Sequence, residues 1–337
     1  MCRLSTFVLA ILVATSALAQ TAAPGAQPEV QPLKFADTVS VGYVMVPFTV
    51  LGSKGGPITD LRQREVQLFV DGVPVPSDMF ERSMNAPVSF TILLDGSGSM
   101  GLAGKMPAAR AAMATLIAHR KPGDDFALYV FDDHEAAEVV PFTEDAAKIM
   151  RAMNDVKPFG KTAFFDALAT MPARSELGKN PTRAIILLSD GIDNASHLTR
   201  AQLPGLLEGV SVPIYALGLR EPAEKQPMDP KHPNEEFSDL GLLEEIANQT
   251  GGRLFLGNRP EQLSEAVDAL ENNLRAQYLI GFSPTGKGAV KYRRIALKLA
   301  GRVRSVRVRA GYLGTEPPIL SAAARDKTKK NERKRSS

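Results

Sequence analysis

The chain has 337 residues, 44% hydrophobic and 23% charged, a balance that supports a sizeable globular core and excludes disorder throughout. Its net charge of +3 is small, and residues 321–337 alone hold seven basic residues against two acidic ones. No positive excess remains for a folded face that would bind nucleic acid, and the single cysteine, Cys2, has no partner for a disulfide.

In chain order, residues 1–19 read as a signal peptide. Arg3 gives a positive start, Phe7 to Leu18 an apolar stretch too short to span a bilayer comfortably, and Ala17-Leu18-Ala19 a small-x-small cleavage site before Gln20. The mature chain is therefore expected to be exported, periplasmic or secreted, with no cysteine and no transmembrane segment. Residues 20–37, rich in Ala, Pro and Gln without periodicity, read as a disordered linker. Residues 38–86 form an N-terminal β segment. It holds an alternating run from Val39 to Val50 whose phase slips near Tyr43, a turn at Gly52 to Pro57, and a hairpin whose Asp71-Gly72 suits a type I′ turn.

Residues 87–275 change regime, with apolar strands alternating with helical patterns. Strands are expected at Val88 to Leu94, Phe126 to Phe131, Ala184 to Leu188, Val212 to Leu217 and Gly252 to Leu256, with a short edge strand at Ala137 to Phe142. Between them fall helices at Pro107 to His119, after a Thr143 cap, from near Thr162 through Leu168, at Leu203 to Leu207, at Leu240 to Thr250 and at Glu261 to Leu274. Strands buried on both faces and separated by helices imply an α/β fold with a doubly wound, mostly parallel sheet. Residues 276–316 return to β character, with strands at Gln277 to Phe282, Tyr292 to Leu299 and Arg302 to Arg309. They are expected to join the N-terminal β segment in one accessory β domain, before a basic disordered tail at 317–337.

Three loops bring oxygen-bearing side chains to one edge of such a sheet. Asp95-Gly96-Ser97-Gly98-Ser99 follows the first buried strand, Ser189-Asp190-Gly191 follows another, and Gly160-Lys161-Thr162-Ala163 precedes a helix. Side-chain oxygens alternating with glycines suit a hard cation. An Asp-x-Ser-x-Ser alone is more often a turn or a helix cap than a metal site, so the weight lies on Thr162 and Asp190 in matching context.

Asp95-x-Ser97-x-Ser99, Thr162 within Thr162-Ala163-Phe164-Phe165-Asp166-Ala167, and Asp190 together resemble the metal-ion-dependent adhesion site of von Willebrand factor type A domains. The flanks, with the Val-Asp-Gly hairpin and the Tyr278 to Pro284 strand, resemble a bacterial subfamily of acidobacterial type. The resemblance implies a Rossmann-like core in which Ser97, Ser99 and Thr162 give hydroxyl oxygens directly to a divalent cation. Asp95 and Asp190 would hold waters or those hydroxyls. It implies Mg2+, with Mn2+ or Ca2+ as substitutes, and a protein partner whose carboxylate completes the metal's coordination. It specifies no oligomeric state.

A hydrolase fits these residues less well. Ser97-Gly98-Ser99-Met100-Gly101 has the setting of a nucleophile elbow, but Ser97 stands where the first glycine belongs, and a hydrolase using His197 leaves Asp95 and Thr162 without a role. The chain is read as non-enzymatic. The alternative is a structural or assembly subunit in which the cation only stabilises the fold. Asp166 is explained by the helix dipole alone, and of Phe164 and Phe165 one is expected in the core and the other exposed. The Pro-rich loop Glu221 to Asp239 either flanks the site or is a plain surface loop.

Overall fold

The computed structural model describes residues 43–52, 56–84, 86–219, 239–257, 259–286, 288–300 and 305–318. The expected signal peptide, the linker, nearly all of the 221–239 loop and the basic tail from residue 319 lie outside the described residues. In chain order the elements are β1 (Val44–Leu51), β2 (Val66–Val70), β3 (Val73–Val75), β4 (Met79–Met84), β5 (Val88–Asp95), α1 (Lys105–Ala118), β6 (Asp125–Phe131), β7 (Ala137–Thr143), α2 (Ala146–Asp155), α3 (Phe164–Ser175), β8 (Thr182–Ser189), α4 (Leu203–Leu207), β9 (Ile214–Gly218), α5 (Asp239–Thr250), β10 (Arg253–Leu256), α6 (Pro260–Leu274), β11 (Ala276–Phe282), β12 (Lys291–Leu299), β13 (Ser305–Val308) and β14 (Gly311–Gly314).

The central sheet has the order β10-β9-β8-β5-β6-β7. Every neighbouring pair is parallel except β6 with β7, the edge strand. Alternation along each strand feeds two separate cores. Phe90, Ile92 and Leu94 of β5 and Ala184, Ile186 and Leu188 of β8 pack with residues of α1, α2 and α6. Leu93 with Ile185 and Leu187 packs against α3, α4 and α5. Helices thus cover both faces, which is why the strands read as continuous apolar runs. The chain leaves β5 towards β6 on one side and reaches β8 on the other, so the sheet reverses its winding at β5, where open α/β sheets hold their ligands.

Strands from the two flanks interleave in two further sheets, β13-β1-β11-β4 and β14-β12-β2-β3. Val46, Phe48 and Tyr278 of the first and Leu68, Val70 and Ile295 of the second share one core, so the two sheets form a sandwich. The hairpin between β2 and β3 has both central residues at positive φ, Asp71 at 50° and Gly72 at 78°, as a type I′ turn requires. The Asp71 carboxylate accepts from the Arg294 N–H at 2.9 Å and from Nη1 of Arg293 at 3.1 Å, locking the turn to β12.

Several local expectations need correction. Thr143 does not cap α2. Asp145 does so by accepting from the Ala147 N–H at 3.1 Å, while the Thr143 hydroxyl accepts from the Asp145 N–H. Helix α3 starts at Phe164, near Thr162 as expected, but it continues past Leu168 to Ser175. Phe164 and Phe165 are both buried. Strands β4 and β14 were not anticipated, since neither Met79–Met84 nor Gly311–Gly314 alternates cleanly enough to stand out.

Candidate metal centre

Strand β5 delivers Asp95 to the carboxyl edge of the sheet, fully buried. Its Oδ1 accepts from the Ser97 N–H at 2.9 Å and its Oδ2 from the Ser189 hydroxyl at 2.8 Å. Burial pushes the Asp95 carboxyl up to about 6; bonds from Ser97 and Ser189 pull it down, and the neighbouring Asp190 adds to the rise. A carboxylate held at such cost is one that a nearby positive charge would relieve. Ser97 and Ser99 project from the following turn with their Oγ atoms 3.2 Å apart.

The second loop is tied to the first through its backbone. Phe159 N–H donates to the Gly96 carbonyl at 2.8 Å, and Gly98 N–H donates to the Gly160 carbonyl at 3.0 Å. Two residues on, Thr162 is buried and clasped by the third loop. Its N–H donates to Asn194 Oδ1 at 2.8 Å, and its carbonyl accepts from the N–H groups of Asn194 and Ala195, both at 3.0 Å. Helix α3 lacks a side-chain cap of its own, and the third loop supplies one. Asp193 accepts from Phe164 N–H at 2.9 Å, and the Ser196 hydroxyl oxygen accepts from Phe165 N–H at 3.0 Å and Asp166 N–H at 3.3 Å.

Asp190, fully buried, is met by Lys105 from the start of α1, with Nζ donating to Oδ2 at 2.7 Å. The Ile192 N–H reaches its Oδ1 at 3.3 Å. The structure thus gathers the loops bearing Asp95, Ser97, Ser99, Thr162 and Asp190 at one edge. Their donors are all oxygens, hydroxyl and carboxylate, a set that fits a hard divalent cation rather than a thiolate- or imidazole-seeking one. The lysine ammonium against Asp190 independently marks the place as one that demands positive charge.

Sequence reasoning did not single out Lys105, and it gave no role to Ser189, Asp193, Asn194 or Ser196. Lys105 did carry a signal, a cation at a helix start where an acid is favoured. Ser189 donates to the Asp95 carboxylate from 94 residues away, the other three hold remote backbone groups, and no spacing announces that. Asp166 does more than meet the helix dipole, since its oxygens accept from the N–H groups of His197 at 2.8 Å and Leu198 at 2.9 Å. The His197 ring, almost wholly exposed, leans on Asp166 at 3.0 Å, and among the described residues no histidine bonds Ser97 or Ser99. Beside the site Phe159 is 81% exposed and Leu102 64%, both next to backbone bonds that fix the loops. Asp132, Asp133 and His134 follow β6 at the same edge and are paired among themselves.

Residues 90–192 match the family model of the von Willebrand factor type A domain, a span from β5 to the loop after β8 that contains all five site residues. Over that span the chain is similar to a von Willebrand factor type A domain. A curated relative, an uncharacterised protein of Borreliella burgdorferi, is 26% identical over 210 residues, 57% of this chain. The match spans 60% of that relative's length. Among solved structures, the von Willebrand factor type A protein from Catenulispora acidiphila is 17% identical, with a TM-score of 0.44 over 72% of this chain and 75% of its own. An aerotolerance-related membrane protein from Bacteroides fragilis is 20% identical, with a TM-score of 0.40 over 56% of this chain and 98% of its own. No helix among the described residues is long and apolar enough to cross a membrane.

Proposed function

We propose that the domain is an exported, non-enzymatic binding module that uses a divalent cation, Mg2+ foremost with Mn2+ or Ca2+ as substitutes, to engage a carboxylate of a protein partner. The observation that carries this reading is the interlocking of the three loops that bear Asp95, Ser97, Ser99, Thr162 and Asp190, with two buried carboxylates and a donor set made only of oxygens. Ser97, Ser99 and Thr162 would hold the ion through neutral oxygens, with Asp95 and Asp190 orienting them or bound waters. When bound, the cation supplies an electrophilic position for an oxygen anion from outside. Phe159 and Leu102, exposed on fixed loops at the rim, offer apolar contact around that carboxylate. Export rests on the composition of residues 1–19. The non-enzymatic reading is supported by serine hydroxyls that have no histidine partner among the described residues.

The test is Asp95→Asn. The asparagine keeps an acceptor for the Ser97 N–H and removes a buried charge, so in chelator at pH 7 the variant should melt no lower than the parent. The parent should gain melting temperature on addition of Mg2+ and the variant should not. Capture of a partner from the envelope of the source cell should require Mg2+ and fail with Asp95→Asn. Capture that survives both chelator and the substitution would overturn the metal-bridged reading and favour an assembly role.

A further inference from the structure

Lys105 is out of place by local rules. It is the first residue of α1, where a cation opposes the helix dipole, and it is only 8% exposed although lysine is seldom buried without a partner. Neither helix propensity nor solvation explains it there. What explains it is Asp190, fully buried, whose Oδ2 lies 2.7 Å from the ammonium. The pair joins the start of a helix to the loop after β8, so it also fixes the distance between two walls of the site.

We infer that Lys105 is a built-in counter-cation of the metal centre, holding it folded without a divalent ion and setting its affinity for one. This rests on the cation reading proposed above. Two buried carboxylates against one ammonium leave a single net negative charge. An arriving divalent ion therefore meets less attraction than the carboxylates alone would offer, and it loses part of Asp190's hold to the lysine. The loaded centre, in turn, carries one net positive charge where it would otherwise be neutral, and attracts an incoming carboxylate more strongly. Ion and acidic partner consequently raise each other's affinity.

The experiment is calorimetric titration of Mg2+, with chloride as the only added anion, into the full chain and its Lys105→Gln and Lys105→Arg variants. Lys105→Gln should bind Mg2+ about tenfold more tightly than the parent, and Lys105→Arg, which keeps the charge, should bind like the parent. In chelator, Lys105→Gln should melt below the parent and recover with Mg2+. A folded Lys105→Gln chain that binds Mg2+ no more tightly than the parent overturns the role of Lys105 and leaves the cation reading standing. Should Lys105→Gln be unfolded in chelator, failure of saturating Mg2+ to refold it overturns the inference equally. If parent and variants alike bind no Mg2+, Mn2+ or Ca2+, the cation reading itself falls, and this inference with it.

Discussion

Asp166 stands in the first turn of α3, where the helix dipole favours a carboxylate, yet its oxygens bond the backbone of the loop after β8. Burial raises the Asp166 carboxyl, but the N–H groups of His197 and Leu198 and the His197 ring outweigh it and hold it below the ordinary value near 3.8. A carboxyl lowered by folding contributes stability that is present above the unfolded pKa and lost as pH falls through the folded one. Asp166→Ala should therefore cost about 2 kcal/mol near neutrality, the size of charged hydrogen bonds to backbone. The gap to the parent should close in acid below about pH 4. Urea denaturation across that range measures it; a gap that widens on acidification would contradict the assignment. The dipole role of Asp166 was visible in sequence because it is local. Its clamp on His197 and Leu198 was not, since the partners lie 31 and 32 residues away.

Strands and helices of the central sheet were legible because burial on one or both faces writes a period into the sequence. What the pattern missed was set by neighbours. Phe164 and Phe165 are both buried because the third loop closes over the start of α3, where Ser196 bonds the Phe165 N–H, and the two rings pack 5.7 Å apart in one cluster. The turn from α5 into β10 has the same character. A Cβ on Gly252 would stand 1.9 Å from the Ile214 carbonyl oxygen of β9, backbone against backbone, with no side chain able to swing aside. Gly252→Ala should destabilise by about 3 kcal/mol or more, read as a fall in the urea midpoint. A midpoint equal to the parent's would show that β10 is not held as described.

The sandwich and the central sheet meet where the chain crosses between them, and one carboxylate organises both crossings. Asp124 accepts from the Val88 N–H at 2.8 Å as the chain enters β5, and from Nη2 of Arg275 at 2.6 Å as the chain leaves α6 for β11. Arg275 also pairs with Glu271, and its Nη1 reaches the Ala86 carbonyl at 3.3 Å. Burial raises the Glu271 carboxyl, with Arg275 opposing the shift. Removing the guanidinium with Arg275→Ala would leave two buried carboxylates without a counter-charge. Such a loss costs about 3–5 kcal/mol. Equilibrium unfolding should show it, and a loss under about 1 kcal/mol would mean that the crossing is held by the sheets alone.

The motif Asp95 to Ser99, together with Thr162 and Asp190, was readable along the chain, as were the parallel sheet and the flanking β segments. Each depends on residue type and spacing, which a linear sequence carries. Folding alone revealed Lys105 against Asp190, the caps that Asp193 and Ser196 lend to α3, and the strand order in which the two flanks, expected to join, are shared between two sheets. These are bonds between residues tens to hundreds of positions apart, and their partners are chosen by which loops the sheet brings to one edge.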